Sequence, residues 1–83
     1  MYLIKFIAMH HAFYRDGYLA IDNRGQVALV ADPRKAAKYN TLQEAEEYCD
    51  AAYNASSILR NNYPMFAIED YDFAWEHYDP YFA

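Results

Sequence analysis

The feature that most constrains this chain is the stretch that opens at Thr41. In Thr41-Leu42-Gln43-Glu44 the threonine hydroxyl can accept from the Glu44 N–H while that carboxylate reaches back to the Thr41 backbone, a capping box that fixes where a helix starts. Small and apolar residues then recur at Leu42, Ala45, Cys49, Ala52, Ser56 and Leu59, in steps of three and four, while Gln43, Glu44, Glu46, Glu47, Asp50, Asn54 and Ser57 fall away from them. The spacing predicts one helix over 41–61, with Pro64 as the barrier beyond it. Its apolar stripe is thin and rich in alanine, which suits close packing on a sheet.

The sheet is supplied on either side. Tyr2 to Met9 alternates, with Ile4, Phe6 and Ala8 on one side and Lys5 on the other, and reads as a central strand. Asp16-Gly17 ends a loop and returns the chain as a second strand, Tyr18 to Asp22, with Leu19 and Ile21 expected to point inward. Asn23-Arg24-Gly25 tolerates positive φ and leads into a third strand, Gln26 to Ala31, so the first 31 residues form an antiparallel meander. Pro33 to Tyr39 is a basic connection with room for one helical turn, expected to meet the acidic helix that follows it or a partner. Met65 to Glu69 gives a fourth strand, Phe66 and Ile68 facing the same way.

These elements predict an α+β fold of ββαβ type: a three-stranded antiparallel meander, one long helix and a fourth strand, in the order 3-2-1-4. With the helix as the return, the fourth strand would run parallel to the first. At 83 residues the chain is one domain with one core, divided into meander and connection (1–39), helix (41–61), strand (65–70) and an acidic, aromatic tail (71–83). The tail either packs back as a short helix over about 71–78 or binds something.

Cys49 stands alone, which excludes an intrachain disulfide, and its place on the stripe makes it a small core hydrophobe. The N-terminus alternates around Lys5 and has no small-residue cleavage site, so neither a signal peptide nor a membrane span is expected, and the location implied is cytoplasmic. Tyrosine is the outlying count, ten in 83 residues, with five Phe and one Trp. Such rings are enriched at protein contact surfaces because they bring area at low rotamer cost and keep a polar tip.

Charge is unevenly distributed along the chain. Residues 1–39 carry six Lys or Arg against three acids, a balance of +3, and residues 40–83 carry only Arg60 against nine acids, a balance of −8, which together give the net −5. If helix and tail lie together, Glu44, Glu47, Asp50, Asp70, Asp72 and Glu76 form one negative face with Trp75 and Tyr78 set into it. Such a field orients a basic partner and repels nucleic acid.

Chemistry is sparse by comparison. Gly17 and Gly25 both sit at turns, so no glycine-rich loop exists to cradle a phosphate. His10 and His11, with Asp16 or Glu76, match no recognised metal-ligand spacing, and adjacent residues at a strand end point to opposite faces. Pairing Cys49 with His77 or another histidine as a nucleophile would need an exposed thiol in electropositive surroundings, which the stripe does not offer. Arg34, Lys35 and Lys38 are too few in so acidic a chain for direct DNA binding. No enzyme activity, metal or cofactor is expected.

The hairpin text Asp16-Gly17-Tyr18-Leu19-Ala20 to Gly25-Gln26-Val27-Ala28-Leu29-Val30, followed by Ala37-Lys38-Tyr39-Asn40-Thr41-Leu42-Gln43-Glu44-Ala45 at the helix entry, resembles the small acidic proteins that phages and other mobile elements carry among their accessory genes, several anti-CRISPR proteins included. The likeness covers about half the chain. It implies a non-enzymatic inhibitor that occupies a basic nucleic-acid site on a host nuclease complex, acting as a nucleic-acid mimic. The alternative is a self-associating structural module, with the rings of the tail buried against a second copy.

Overall fold

A computed structural model of the chain describes residues 1–10 and 14–78. Four strands, β1 (Tyr2–Ile7), β2 (Gly17–Ile21), β3 (Val27–Val30) and β4 (Met65–Asp70), form one sheet in the order β3-β2-β1-β4, with every pair antiparallel. Three helices accompany it: α1 (Leu42–Ala55), α2 (Ser57–Asn62) and α3 (Tyr71–Glu76), with a single 3-10 turn at Pro33–Lys35. The α+β class and the strand order are those expected from the sequence. None of the described helices is long and apolar enough to cross a membrane.

The direction of β4 differs from expectation, and the connection between β3 and α1 explains why. Ala36 packs on one face of the sheet with Leu3 and Tyr18, whereas Ala37 and Tyr39 belong to the core on the other face. Residues 36–39 are thus extended in the plane of the sheet with side chains alternating between its faces, and they join the 3-10 turn, which meets α3 on the face of Ala36, to α1 on the other face. The β1–β2 register pairs Lys5 with Tyr18 and Phe6 with Gly17, which would carry on to Ile4–Leu19 and Tyr2–Ile21. Instead the Ala37 N–H donates to the Leu19 carbonyl (2.9 Å), and Tyr2 and Tyr39 exchange both backbone hydrogen bonds (2.7 and 2.9 Å). The connection therefore wedges between β1 and β2 and brings the chain back to the start of β1 before α1 begins. α1 and α2 then run up alongside β1, Asn62 meets Met9 at the far end (Met9 N–H to Asn62 carbonyl, 2.9 Å), and β4 must run down. Ile21 lies beyond the wedge, where β1 no longer pairs with β2, and is 51% exposed instead of pointing into the core.

Both faces of β1 are covered. On the first, Ile4, Phe6 and Ala8 pack with Leu19 against Ala45, Cys49 and Ala52 of α1 and Leu59 of α2, all buried. The alanines let the helix sit close, and the Phe6 ring meets Tyr53 edge to face at 5.2 Å. Burying side chains as large as Phe6, Ile4 or Leu59 stabilises the fold by about 1.5–3 kcal/mol each. On the second face Leu3 and Tyr18 pack with Ala36 and with Ala74 of α3. The tail thus folds back as a short helix as far as Glu76; the part of it beyond Tyr78 lies outside the described residues.

The helix expected over 41–61 is two helices. Ser56 leaves helical geometry (φ −127°, ψ 114°), closing α1 through its N–H to the Ala52 carbonyl and opening α2 through its hydroxyl, which accepts from the Leu59 N–H. Arg60 bridges the break, one guanidinium nitrogen donating to the carbonyls of Tyr53 (2.7 Å) and Asn54 (2.9 Å), which the last turn of α1 leaves without helical partners. Leu42 also departs from its place on the stripe and is about half exposed at the entry to the helix.

At that entry the Glu44 N–H donates to Thr41 Oγ1 (3.1 Å), while the return bond from the Thr41 N–H to the Glu44 carboxylate is not made. Thr41→Ala should lower stability by about 0.5–2 kcal/mol, the cost of losing an N-cap hydroxyl. Thermal or urea melts check it, and an unchanged midpoint would show that the cap contributes nothing.

Candidate functional site

The residues expected to form one acidic and aromatic face are divided by the sheet. α1 lies on the first face, through Ala45, Cys49 and Ala52, and α3 on the second, through Ala74. Glu44, Glu47 and Asp50 therefore belong to one surface, and Asp72, Trp75, Glu76 and Tyr78 to the other. Asp70 ends β4, where its carboxylate accepts from the Asp72 N–H (2.9 Å) and caps α3. The single negative patch expected from the sequence does not form.

On α1 the carboxylates of Glu46, Glu47 and Asp50 are exposed and that of Glu44 is half-exposed. Glu47 accepts only from the Gln43 amide (3.3 Å), and among the described residues none of the four is in an ion pair. Tyr48 is 50% exposed beside them and stacks on the buried Tyr39 (4.8 Å between centroids). The outward side of α1 is thus a negative surface with a ring anchored at its flank. Sequence spacing located the acids but placed no emphasis on Tyr48, whose position one turn after Glu44 was the available signal.

On the second face the rings meet cations instead. The Arg34 guanidinium lies 4.8 Å from the centre of the Trp75 ring, Lys38 Nζ 5.1 Å from that of Tyr71, and Tyr78 stacks on Trp75 (5.8 Å). The basic connection does not turn to α1, as expected from the sequence, but to α3. Arg34 also holds Asp32 through bonds of 2.7–3.2 Å, which keep the Asp32 carboxyl below its ordinary range and raise Arg34. Lys38 is tied further by Nζ bonds to the carbonyls of Arg34 (2.9 Å) and Ala36 (3.2 Å). Trp75 remains 43% exposed, so it is a surface ring whose face is already occupied by a cation.

Cys49 is fully buried, and desolvation, with the Asp50 charge adding to it, pushes its thiol up to about 11, the opposite of what a nucleophile needs. His77 donates from Nδ1 to the Phe73 carbonyl (2.8 Å) and stacks on the Phe73 ring (4.1 Å). His10 is exposed, and His11 lies outside the described residues. Among the described residues no three His, Cys, Asp or Glu side chains are grouped as a metal site would require.

A polar pair spans the sheet at Tyr18 and Glu69: the hydroxyl donates to Glu69 Oε2 (2.9 Å) across β1. Burial, and then the bond to Glu69, raises the Tyr18 hydroxyl well above the ordinary phenol range; burial raises Tyr39, Tyr53 and Tyr63 as well. Unfolded, these phenols ionise near pH 10. Their stabilisation is therefore complete below about pH 10 and is lost as pH rises from there toward the folded values. The melting temperature should fall steeply above about pH 10, with part of the tyrosinate absorbance appearing only as the protein unfolds. A melt that stays flat into that range would show that these hydroxyls are not protected.

Compared with protein-family models, with curated proteins and with solved structures, the chain finds no match in any of the three.

Proposed function

We propose that this chain is a non-enzymatic interaction protein that docks the acidic outer side of α1 on a basic surface of another protein, most concretely the nucleic-acid-binding surface of a host nuclease complex that it inhibits. One observation carries the proposal. Glu44, Glu46, Glu47 and Asp50 stand together without a cation among the described residues, while Arg34 and Lys38 are engaged on the other side of the sheet. A row of carboxylates on a rigid helix presents charge at spacings a phosphate-binding groove can accept, and its field raises the encounter rate with a basic target. Tyr48 supplies an amphipathic ring at the edge of that row.

Asp70, Asp72, Trp75, Glu76 and Tyr78 take no part in this surface. Trp75, with Tyr78 stacked on it, engages Arg34 of the basic connection, and the Asp70 carboxylate caps α3. Docking through α1 leaves α3 facing away from the partner.

The test is kinetic and uses the partner captured from a host lysate by salt-dependent elution. Glu47→Lys with Asp50→Lys should slow association by about tenfold or more and flatten its salt dependence, since charges at the rim act mainly on the association rate. Asp72→Lys with Glu76→Lys should leave both nearly unchanged. If the α1 reversals leave the rate at low salt unaltered in a folded protein, α1 is an ordinary solvated helix and the proposal fails.

A further inference from the structure

The outer edge of β4 is open, and its composition is that of a pairing strand. Backbone direction along β1 follows from its bonds: Met1 and Met9 turn toward the β4 side, through Tyr71 and Asn62, and Tyr2 and Ala8 toward the β2 side, through Tyr39 and Asp16. Odd-numbered residues of β1 therefore face β4, and their partners Glu69, Ala67 and Met65 turn inward. Phe66, Ile68 and Asp70 are left with N–H and C=O groups pointing out, and nothing among the described residues pairs with them. Edge strands are ordinarily blunted by Lys, Pro, a bulge or shortness. Over residues 65–68 β4 has neither these nor any other charge, its two acids, Glu69 and Asp70, standing at its end, and it exposes Met65 (61%) and Phe66 (46%). β3, the other edge, is only four residues long and turns just Val27 and Leu29 outward.

We infer that β4 pairs antiparallel with β4 of a second copy across a two-fold axis at Ala67, joining the two sheets into one of eight strands. The register selects the occupant. An axis perpendicular to the sheet at Ala67 sets Phe66 opposite Ile68 of the other copy, both with outward backbone groups, so the two symmetric pairs exchange four hydrogen bonds. An axis at Phe66 would set Pro64, which has no N–H, opposite Ile68 and leave only the Phe66 pair fully bonded. On the Ala67 axis Pro64 falls opposite Asp70, outside the two symmetric pairs, and an axis at Ile68 would set the Asp70 carboxylate beside the Phe66 ring. With the Ala67 axis no acid faces an acid: Glu69 lies opposite Met65. On the helix face the row Phe6, Phe66 continues into Ile68 and Ile4 of the second copy, so the core runs through the junction and the exposed part of Phe66 is covered. The pairing is independent of the docking proposed for α1, and it leaves both α1 helices on the same face of the joined sheet.

Sedimentation and amide exchange of the full chain over a range of concentrations test it. The expected result is a species of twice the monomer mass, with the amides of Phe66 and Ile68 slowing several-fold in step with its population while those of Val27 and Leu29 stay fast. Phe66→Lys, which places a charge at the centre of the junction, should weaken association by roughly tenfold or more. Should that variant fail to fold, the exchange of the unaltered chain decides alone. A chain that stays monomeric at NMR concentrations, its β4 edge then being free for a foreign extended peptide or for nothing, overturns the inference. So does a dimer whose Phe66 and Ile68 amides exchange as fast as in the monomer, or association that does not stop at two.

Discussion

The exchange of hydrogen bonds between Tyr2 and Tyr39 is the constraint on which the rest depends. By taking the backbone groups that β2 would have used, Tyr39 opens the sheet at one end and carries the chain from the face of the 3-10 turn and α3 to the face of α1. This gives each face its own covering: α1 and α2 on one side, the basic connection and α3 on the other. It also decides the direction of β4, because the crossing has already returned the chain to the start of β1. A buried backbone segment must find partners for its polar groups, and the splayed strands provide them.

The same crossing separates the charges. The chain's cations lie almost entirely in its first half, and three of them sit in the connection between β3 and α1, where the side chains of Arg34 and Lys38 lie on the second face. There Arg34 and Lys38 find π faces and carbonyls, interactions that neutral groups can offer without cancelling the charge elsewhere. α1 begins only after the crossing, and its acids have no cation brought to them. A protein of this size can thus hold part of its positive charge, that of Arg34 and Lys38, internally engaged while presenting a negative face on α1, a division that depends on topology more than on composition.

Much of this was legible in the sequence, for local reasons. Alternation in Ile4, Phe6 and Ala8, the turn at Gly25 (φ 77°) and the cap at Thr41 each fix an element from a few neighbours, and the strand order followed. Ser56 was not legible as a break, because a serine at a stripe position suits either a close helix contact or a cap, and only the tertiary position of Arg60 and Leu59 selects the cap. The direction of β4 and the division of the acids escaped for one common reason. Both turn on whether residues 36–39 skirt the sheet or pass through it, and no periodicity records that choice. The acids of α1 were found individually, whereas their grouping with Asp72 and Glu76 rested on a layer order that the crossing reverses.

The pairing of β1 with β4 has a consequence for the chain as it is synthesised. β1 is made before the other strands, yet one neighbour joins it 58 to 68 residues later, from Ile7 with Met65 to Tyr2 with Asp70, and Leu3 gains part of its cover only when Ala74 arrives. A nascent chain therefore carries its central strand half-paired until β4 has been made, and contacts so distant in sequence close slowly. A product cut short before β4 would show a bare edge of alternating Leu, Ile and Phe, the kind of surface that chaperones hold and proteases clear. The fourth strand and the short helix after it are in this way a condition for the first to be fully paired and covered.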